Sequence, residues 1–197
     1  MSSSSFTQIG SDIDGEAVGD RSGSSVSLSS DGSIVAIGAP GNYGNGTLSG
    51  HVRIYKNINN IWTQIGGDID GVEGDYSGSS LSLSADGSVV AIGAWLNDAN
   101  GIQDSGQVRI YKNINNIWTQ IGADIDGEAY QDYSGSSVSL SADGSVVAIG
   151  ATGNDSNGTV SGHVRIYQNV NNKWKQVGAD IDGEAAGDYS GSSVSLS

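Results

Sequence analysis

Cysteine is missing from the 197 residues, and proline, methionine and phenylalanine occur once each. Without cysteine there is neither a disulfide nor a thiolate metal site, and the redox compartment leaves no mark. Basic residues are scarce: 8 Lys and Arg stand against 22 Asp and Glu, for a net charge of −14. Such a field repels nucleic acid, whose affinity comes from neutralising phosphates, and it repels anionic membranes for the same reason. No apolar run approaches the roughly 20 residues of a membrane-spanning helix. The N-terminal Met1-Ser-Ser-Ser-Ser-Phe6 has neither the basic nor the apolar region of a signal peptide. Neither a nucleic-acid partner nor membrane insertion is expected.

What is abundant is glycine (31 residues) and serine, a composition that without periodicity suggests disorder. The period decides otherwise. Trp62, Trp118 and Trp174 are evenly spaced (118 − 62 and 174 − 118 are both 56), and one more step back lands on Phe6. Phe6-Thr-Gln-Ile-Gly10 thus matches Trp62-Thr-Gln-Ile-Gly66, Trp118-Thr-Gln-Ile-Gly122 and Trp174-Lys-Gln-Val-Gly178. These four aromatics are the expected structural anchors of a repeat.

Each unit carries four strand signals. Ser24-Ser-Val-Ser-Leu-Ser29 alternates apolar and polar residues, as a half-buried strand does. A Ser-Asp-Gly turn leads into Ser33-Ile-Val-Ala-Ile-Gly38, which is apolar on both faces. A polar loop, Gly41 to Ser49, precedes a third strand, His51-Val-Arg-Ile-Tyr55, and Asn57 to Asn60 turn the chain into Ile61-Trp-Thr-Gln-Ile65. The acidic loop from Asp68 to Gly78 then reaches the next unit. The second unit is one residue short in this loop and one residue long in the polar loop, so length varies only between strands.

Sheets that are apolar on both faces must be covered from both sides, and stacking them around an axis does so. The expected fold is therefore all-β, a β-propeller segment of repeated four-stranded antiparallel blades. A stacked β-solenoid is the rival. Residues 1–197 form a single repeat region of three full blades, with an N-terminal outer strand (Phe6 to Ile9) and a C-terminal inner strand (Ser193 to Ser197). The leftover strands leave apolar faces open, so self-association or continuation of the propeller in a longer chain is expected.

The segments Tyr76-Ser-Gly-Ser-Ser-Leu-Ser-Leu-Ser84, Val90-Ala-Ile-Gly-Ala94, Gly106-Gln-Val-Arg-Ile-Tyr111 and Ile37-Gly-Ala-Pro40 resemble FG-GAP repeats, the blades of integrin-type propellers. The resemblance implies a seven-bladed propeller at the cell surface or outside the cell, binding protein or glycan. Two departures stand out. Ser22, Ser77, Ser134 and Ser190 replace the Phe of Phe-Gly, and the loop that holds calcium in the family is only Ser/Ala-Asp-Gly here. One carboxylate cannot supply the 6–8 oxygens that calcium takes.

Carboxylates gather instead in the acidic loops: Asp12, Asp14, Glu16 and Asp20; Asp68, Asp70 and Asp75; Asp124, Asp126, Glu128 and Asp132; Asp180, Asp182, Glu184 and Asp188. Asp-x-Asp-Gly is not an EF-hand, since Gly10 and Arg21 would fall at ligand positions. A different carboxylate-lined Ca²⁺ turn and ordinary Asx-turns both fit these residues. His51 and His163 occupy matching positions that Gln107 fills in the second unit, and read as strand-face residues. Arg53, Arg109 and Arg165 recur and are expected to pair with carboxylates. No base stands beside a serine in every unit, so no enzyme is expected and no catalytic residue or bound cofactor is assigned. Trp95, unique and in a loop, is a contact candidate. Asn45, Asn154 and Asn157 head glycosylation triplets that arise by chance in polar loops. The function expected is a non-catalytic recognition or adhesion module, with a purely architectural propeller fragment as the alternative.

Overall fold

The computed structural model describes residues 6–197. The first sheet contains β1 (Ser25–Leu28), β2 (Ile34–Ala39), β3 (His51–Ile58), β4 (Ile61–Gln64) and β5 (Ile69–Asp70). The second contains β6 (Ser80–Leu83), β7 (Val89–Ala94), β8 (Gln107–Ile114), β9 (Ile117–Gln120) and β10 (Ile125–Asp126). The third contains β11 (Ser134–Leu140), β12 (Val146–Ala151), β13 (His163–Asn169), β14 (Trp174–Gln176) and β15 (Ile181–Asp182). Strands adjacent in sequence are adjacent in the sheet, all antiparallel. The fourth strand is broken in two. β4 pairs with the C-terminal half of β3 and β5 with its start, in register His51↔Asp70.

Local chemistry sets the turns. Asn59 and Asn60 join β3 to β4 with φ of 52° and 66°, the type I′ geometry that asparagine accepts and that suits strand twist. The Asp31 carboxylate accepts hydrogen bonds from the Ser29 and Ser33 hydroxyls and the Ser33 amide, closing the turn between β1 and β2. These bonds, led by the Ser33 amide, hold its pKa down to about 2. Asp86 and Asp143 repeat the turn.

The core lies between the sheets. Ala36, Val52, Ile54 and Ile69 of the first sheet meet Leu81, Leu83, Val90 and Ile92 of the second. Val89, Ala91, Val108, Ile110 and Ile125 face the other way, onto Val138, Leu140, Val147 and Ile149 of the third. The second strand is apolar throughout because alternate residues serve two different interfaces. Polar latches reinforce the stack. Ser27, Ser82 and Ser139 accept through Oγ the backbone N–H of Leu83, Leu140 and Leu196, each at 3.0 Å. They satisfy amides on strand edges that have no further strand to bond. Gly93 allows the sheets to close up, since a Cβ there would lie 2.2 Å from the Gly135 carbonyl oxygen.

The repeated tryptophans reach back one repeat by a route the sequence does not show. All three are half-buried, and their indole N–H groups donate to Ile9, Ile65 and Ile121 carbonyls one repeat earlier. Trp118 and Trp174 also pack on the cores. Gly66 is required beneath Trp118: its φ is 75°, and a Cβ would meet Trp118 Cδ1 at 2.6 Å. Phe6 departs from the pattern. It is fully exposed, because the sheet its strand would belong to contributes no third strand for it to pair with. Residues 6–9 therefore form no strand, contrary to expectation, and neither do residues 193–197, which have no second strand to pair with.

Candidate functional site

The acidic loops, the loops between second and third strands, and the starts of the first strands share one end of the stack. Parallel bridges Gly50↔Ser77, Gly106↔Ser134 and Gly162↔Ser190 tie the sheets together there. Within each loop most carboxylates have hydrogen-bond partners of their own, and Asp180 and Asp182 come together beside His163. Asp20, Asp75 and Asp132 are buried, accept backbone N–H groups three residues back, and accept the amide N–H of Asn42, Asn97 and Asn154. Asp188 keeps the backbone bond from Ala185. Asp12, Asp68, Asp124 and Asp180 each accept the side-chain amide of Gln8, Gln64, Gln120 and Gln176. Asp126 accepts from Gln107 and Asn100. Asn45 and Asn157 donate to the Gly71 and Gly183 carbonyls, and Asn154 is buried, so the glycosylation triplets spend their amides on the fold.

The recurring arginines pair with carboxylates across the sheet boundary, as anticipated. Arg165 meets Glu128 at 2.8 Å, and Arg53 lies 3.5 Å from Glu16 while donating to the Asp14 carbonyl. Arg109 differs, because Val72 stands where the glutamate would be after the one-residue deletion. It turns to Asp75 at 3.5 Å, and its Nη2, like that of Arg165, makes no hydrogen bond.

The histidines are brought to carboxylates that sequence reasoning left apart. His51 Nδ1 lies 3.8 Å from Asp68 and 3.9 Å from Glu16, and His163 Nδ1 lies 3.7 Å from Asp180 and 4.0 Å from Asp182. The break between the fourth-strand segments causes this, since the second segment carries its aspartates back alongside the start of the third strand. Gln107 fills the place in the second sheet by donating to Asp126. Burial, then the Asp68 carboxylate, raises the Asp70 pKa, while burial and then Arg165 lower that of His163. Glu184 reaches past the last sheet and is exposed. Substitution of Gln for His at one repeat position was the signal available in the sequence, since both offer an N–H to a carboxylate.

Trp95 lies at the same end, half-buried between two tyrosines. Its ring is 5.2 Å from Tyr133, edge to face, and 6.4 Å from Tyr76. Both tyrosines have positive φ (53° and 56°) and are fixed by backbone bonds to Leu48 and Asp104. Arg21 and Tyr189 share that conformation, so it belongs to the sheet-to-sheet crossing of every unit. The residues that follow Trp95 line a cavity of about 520 Å³, Leu96, Asn97 and Asp98 together with Glu73, Asp75 and Asp104, and none of the three rings lines it. A second, of about 500 Å³, opens on the rim between Asp124, Glu128, Arg165 and Trp174.

No protein-family model matches this sequence, and no curated protein does. Solved structures share the architecture. Hydrazine synthase of Kuenenia stuttgartiensis aligns over 92% of the chain and 42% of its own, with a TM-score of 0.52 and 13% identity. Sqt1 of Saccharomyces cerevisiae aligns over 85% and 38%, at 0.52 and 11%. A putative 6-phosphogluconolactonase of Bacteroides fragilis aligns over 80% and 38%, at 0.51 and 16%. The chain thus spans between 38% and 42% of the length of these three structures. Identity this low shows the fold alone. The chain is an all-β protein of propeller-like architecture, built from antiparallel four-stranded sheets.

Proposed function

We propose that the chain is a non-catalytic recognition module whose loop end binds a neutral glycan, in the manner the FG-GAP resemblance implies for a protein at the cell surface. The single observation that carries this reading is the aromatic row Tyr76–Trp95–Tyr133 at the loop end, with an acidic, amide-lined cavity on the residues that follow Trp95, Leu96 to Asp98. Aromatic faces cover the apolar faces of sugar rings, and carboxylates and amides accept and donate to hydroxyls. The non-catalytic part of the reading rests on how the hydroxyls are used. Ser25, Ser80 and Ser137 donate to carbonyls of the next unit, and none of these pairs with a histidine. A neutral-oligosaccharide array followed by titration calorimetry tests the reading. Trp95→Ala should weaken binding at least about tenfold, equivalent to about 1.4 kcal/mol, with the melting temperature nearly unchanged. Absence of any glycan ligand, or binding indifferent to Trp95, would sink it.

A second reading, an architectural segment that associates with further blades, is favoured by the uncovered outer faces of the first and third sheets. Sedimentation velocity separates the two: a stable monomer across the micromolar range would count against association.

A further inference from the structure

We propose that Glu16, His51 and Asp68 form a binding site for a first-row divalent metal ion, best suited to zinc, and that the equivalent positions of the other two sheets do not.

The three donor groups come from three segments that the fold brings together. His51 opens β3, Asp68 precedes β5, which pairs back onto His51 and Val52, and Glu16 arrives on the preceding acidic loop. One donor atom from each lies within 4.8 Å of the others. His51 is 1% exposed, and its Nε2 has no hydrogen-bond partner. Its Nδ1 is aimed between Asp68 Oδ2 and Glu16 Oε2, at 3.8 and 3.9 Å. Those separations are too long for a hydrogen bond. Zinc bonds of about 2.0–2.2 Å to nitrogen and oxygen put tetrahedral ligands about 3.4 Å apart. The exposed Glu16 and Asp68 side chains need move only a few tenths of an ångström toward His51, and their own oxygens, within 4.8 Å of each other, are on side chains free to close up. The donor set also selects the metal. One imidazole with two carboxylates is a borderline set that suits zinc, whereas calcium asks for six or more oxygens. Glu16 is free to serve because Arg53 holds it loosely, at 3.5 Å through its other oxygen.

The repeats supply their own controls. In the second sheet Gln107 replaces the histidine and donates directly to Asp126 at 2.9 Å, which fills the gap without a metal. In the third sheet His163, Asp180 and Asp182 also bring one donor atom each within 4.8 Å of the others, but there Arg165 Nε donates to His163 Nε2 at 3.2 Å. That bond takes the Nε2 lone pair, so a neutral imidazole carries its proton on Nδ1, the atom facing Asp180 and Asp182. Glu128 is drawn away as well, to 2.8 Å from Arg165. One zinc per chain is therefore expected, not three and not two.

Untagged protein is titrated with zinc chloride by calorimetry, with cobalt(II) absorption as a second readout of nitrogen–oxygen ligation. The expected result is one site per chain and a rise in melting temperature at about 100 µM zinc, by mass action on the folded state. His51→Gln copies the arrangement that the second sheet already tolerates, so it should fold. It should abolish the site and the thermal shift, whereas His163→Gln should leave both intact. Asp68→Asn should weaken binding at least tenfold. A stoichiometry of zero, or binding that survives His51→Gln, overturns the assignment.

Discussion

The same residue of the repeat lives in two environments. Leu81 and Leu83, or Val138 and Leu140, are 4–9% exposed between sheets, whereas their counterparts Val26 and Leu28 on the first sheet are 55% and 56% exposed. At the other end Ile181 is 54% exposed where Ile69 and Ile125 are 6%. Sequence and backbone are nearly unchanged, and only the neighbour differs. Stability here is a property of interfaces between units, as in other repeat proteins, and an isolated sheet holds little of it.

The largest effect expected from this contrast is in the core. Leu140→Ala should cost about 2–5 kcal/mol, while Leu28→Ala should cost less than about 1 kcal/mol, both read from urea unfolding. Equal losses would mean that the outer face of the first sheet is covered in solution. Next come the indoles. Trp118→Ala removes core packing and the bond to Ile65, for about 3 kcal/mol, and Trp62→Ala, which joins neither core, about 1 kcal/mol. A reversal of that order would place the anchoring elsewhere. Smaller again is the buried aspartate. Asp132→Ala strands the amides of Glu128, Ala129 and Asn154 and should cost about 1–3 kcal/mol, against less than about 0.5 kcal/mol for the exposed Asp188→Ala.

The last expectation is that one feature will not tell ends from middle. The Asp31, Asp86 and Asp143 carboxylates accept bonds only within their own hairpins, although the turn backbones are linked from sheet to sheet, Ser30 N–H to the Ala85 carbonyl and Ala85 N–H to the Ala142 carbonyl. All three pKa values are lowered, Asp31 and Asp143 to about 2. Their contribution is present above the unfolded carboxylate value of about 3.9 and is lost as pH falls through the folded value. Asp31→Asn and Asp143→Asn should therefore flatten acid unfolding in that window equally. Unequal flattening would tie the turns to their neighbours.

The hairpins were legible because their signals are local: alternation at Val26 and Leu28, Asp-Gly at 31–32, paired asparagines at 59–60. The sheet-on-sheet stacking followed from the doubly apolar Ile34–Ala39 run. What escaped the sequence depends on contacts one repeat away. Phe6 has the anchor's position but lacks the third strand that would make it one. The meeting of His51 with Asp68 and Glu16 needs the fourth strand to break and return; Gly66-Gly67 announces the break, but nothing in the sequence announces the return onto the third strand. The loss of Arg109's glutamate was visible as a deletion, yet only the structure shows the guanidinium left with an unpaired nitrogen.

The serine latches carry a kinetic consequence. Leu83 bonds to Ser27, Leu140 to Ser82 and Leu196 to Ser139, at separations of 56, 58 and 57 residues. The loop that must close to form each latch is therefore one repeat long, wherever in the chain it sits. Loop-closure entropy grows with the logarithm of that length and not with the number of units. Each new hairpin docks onto a finished neighbour at the same entropic cost as the one before. Growth of the stack by duplication then lengthens the protein without lengthening its slowest search, and relative contact order falls with every unit added.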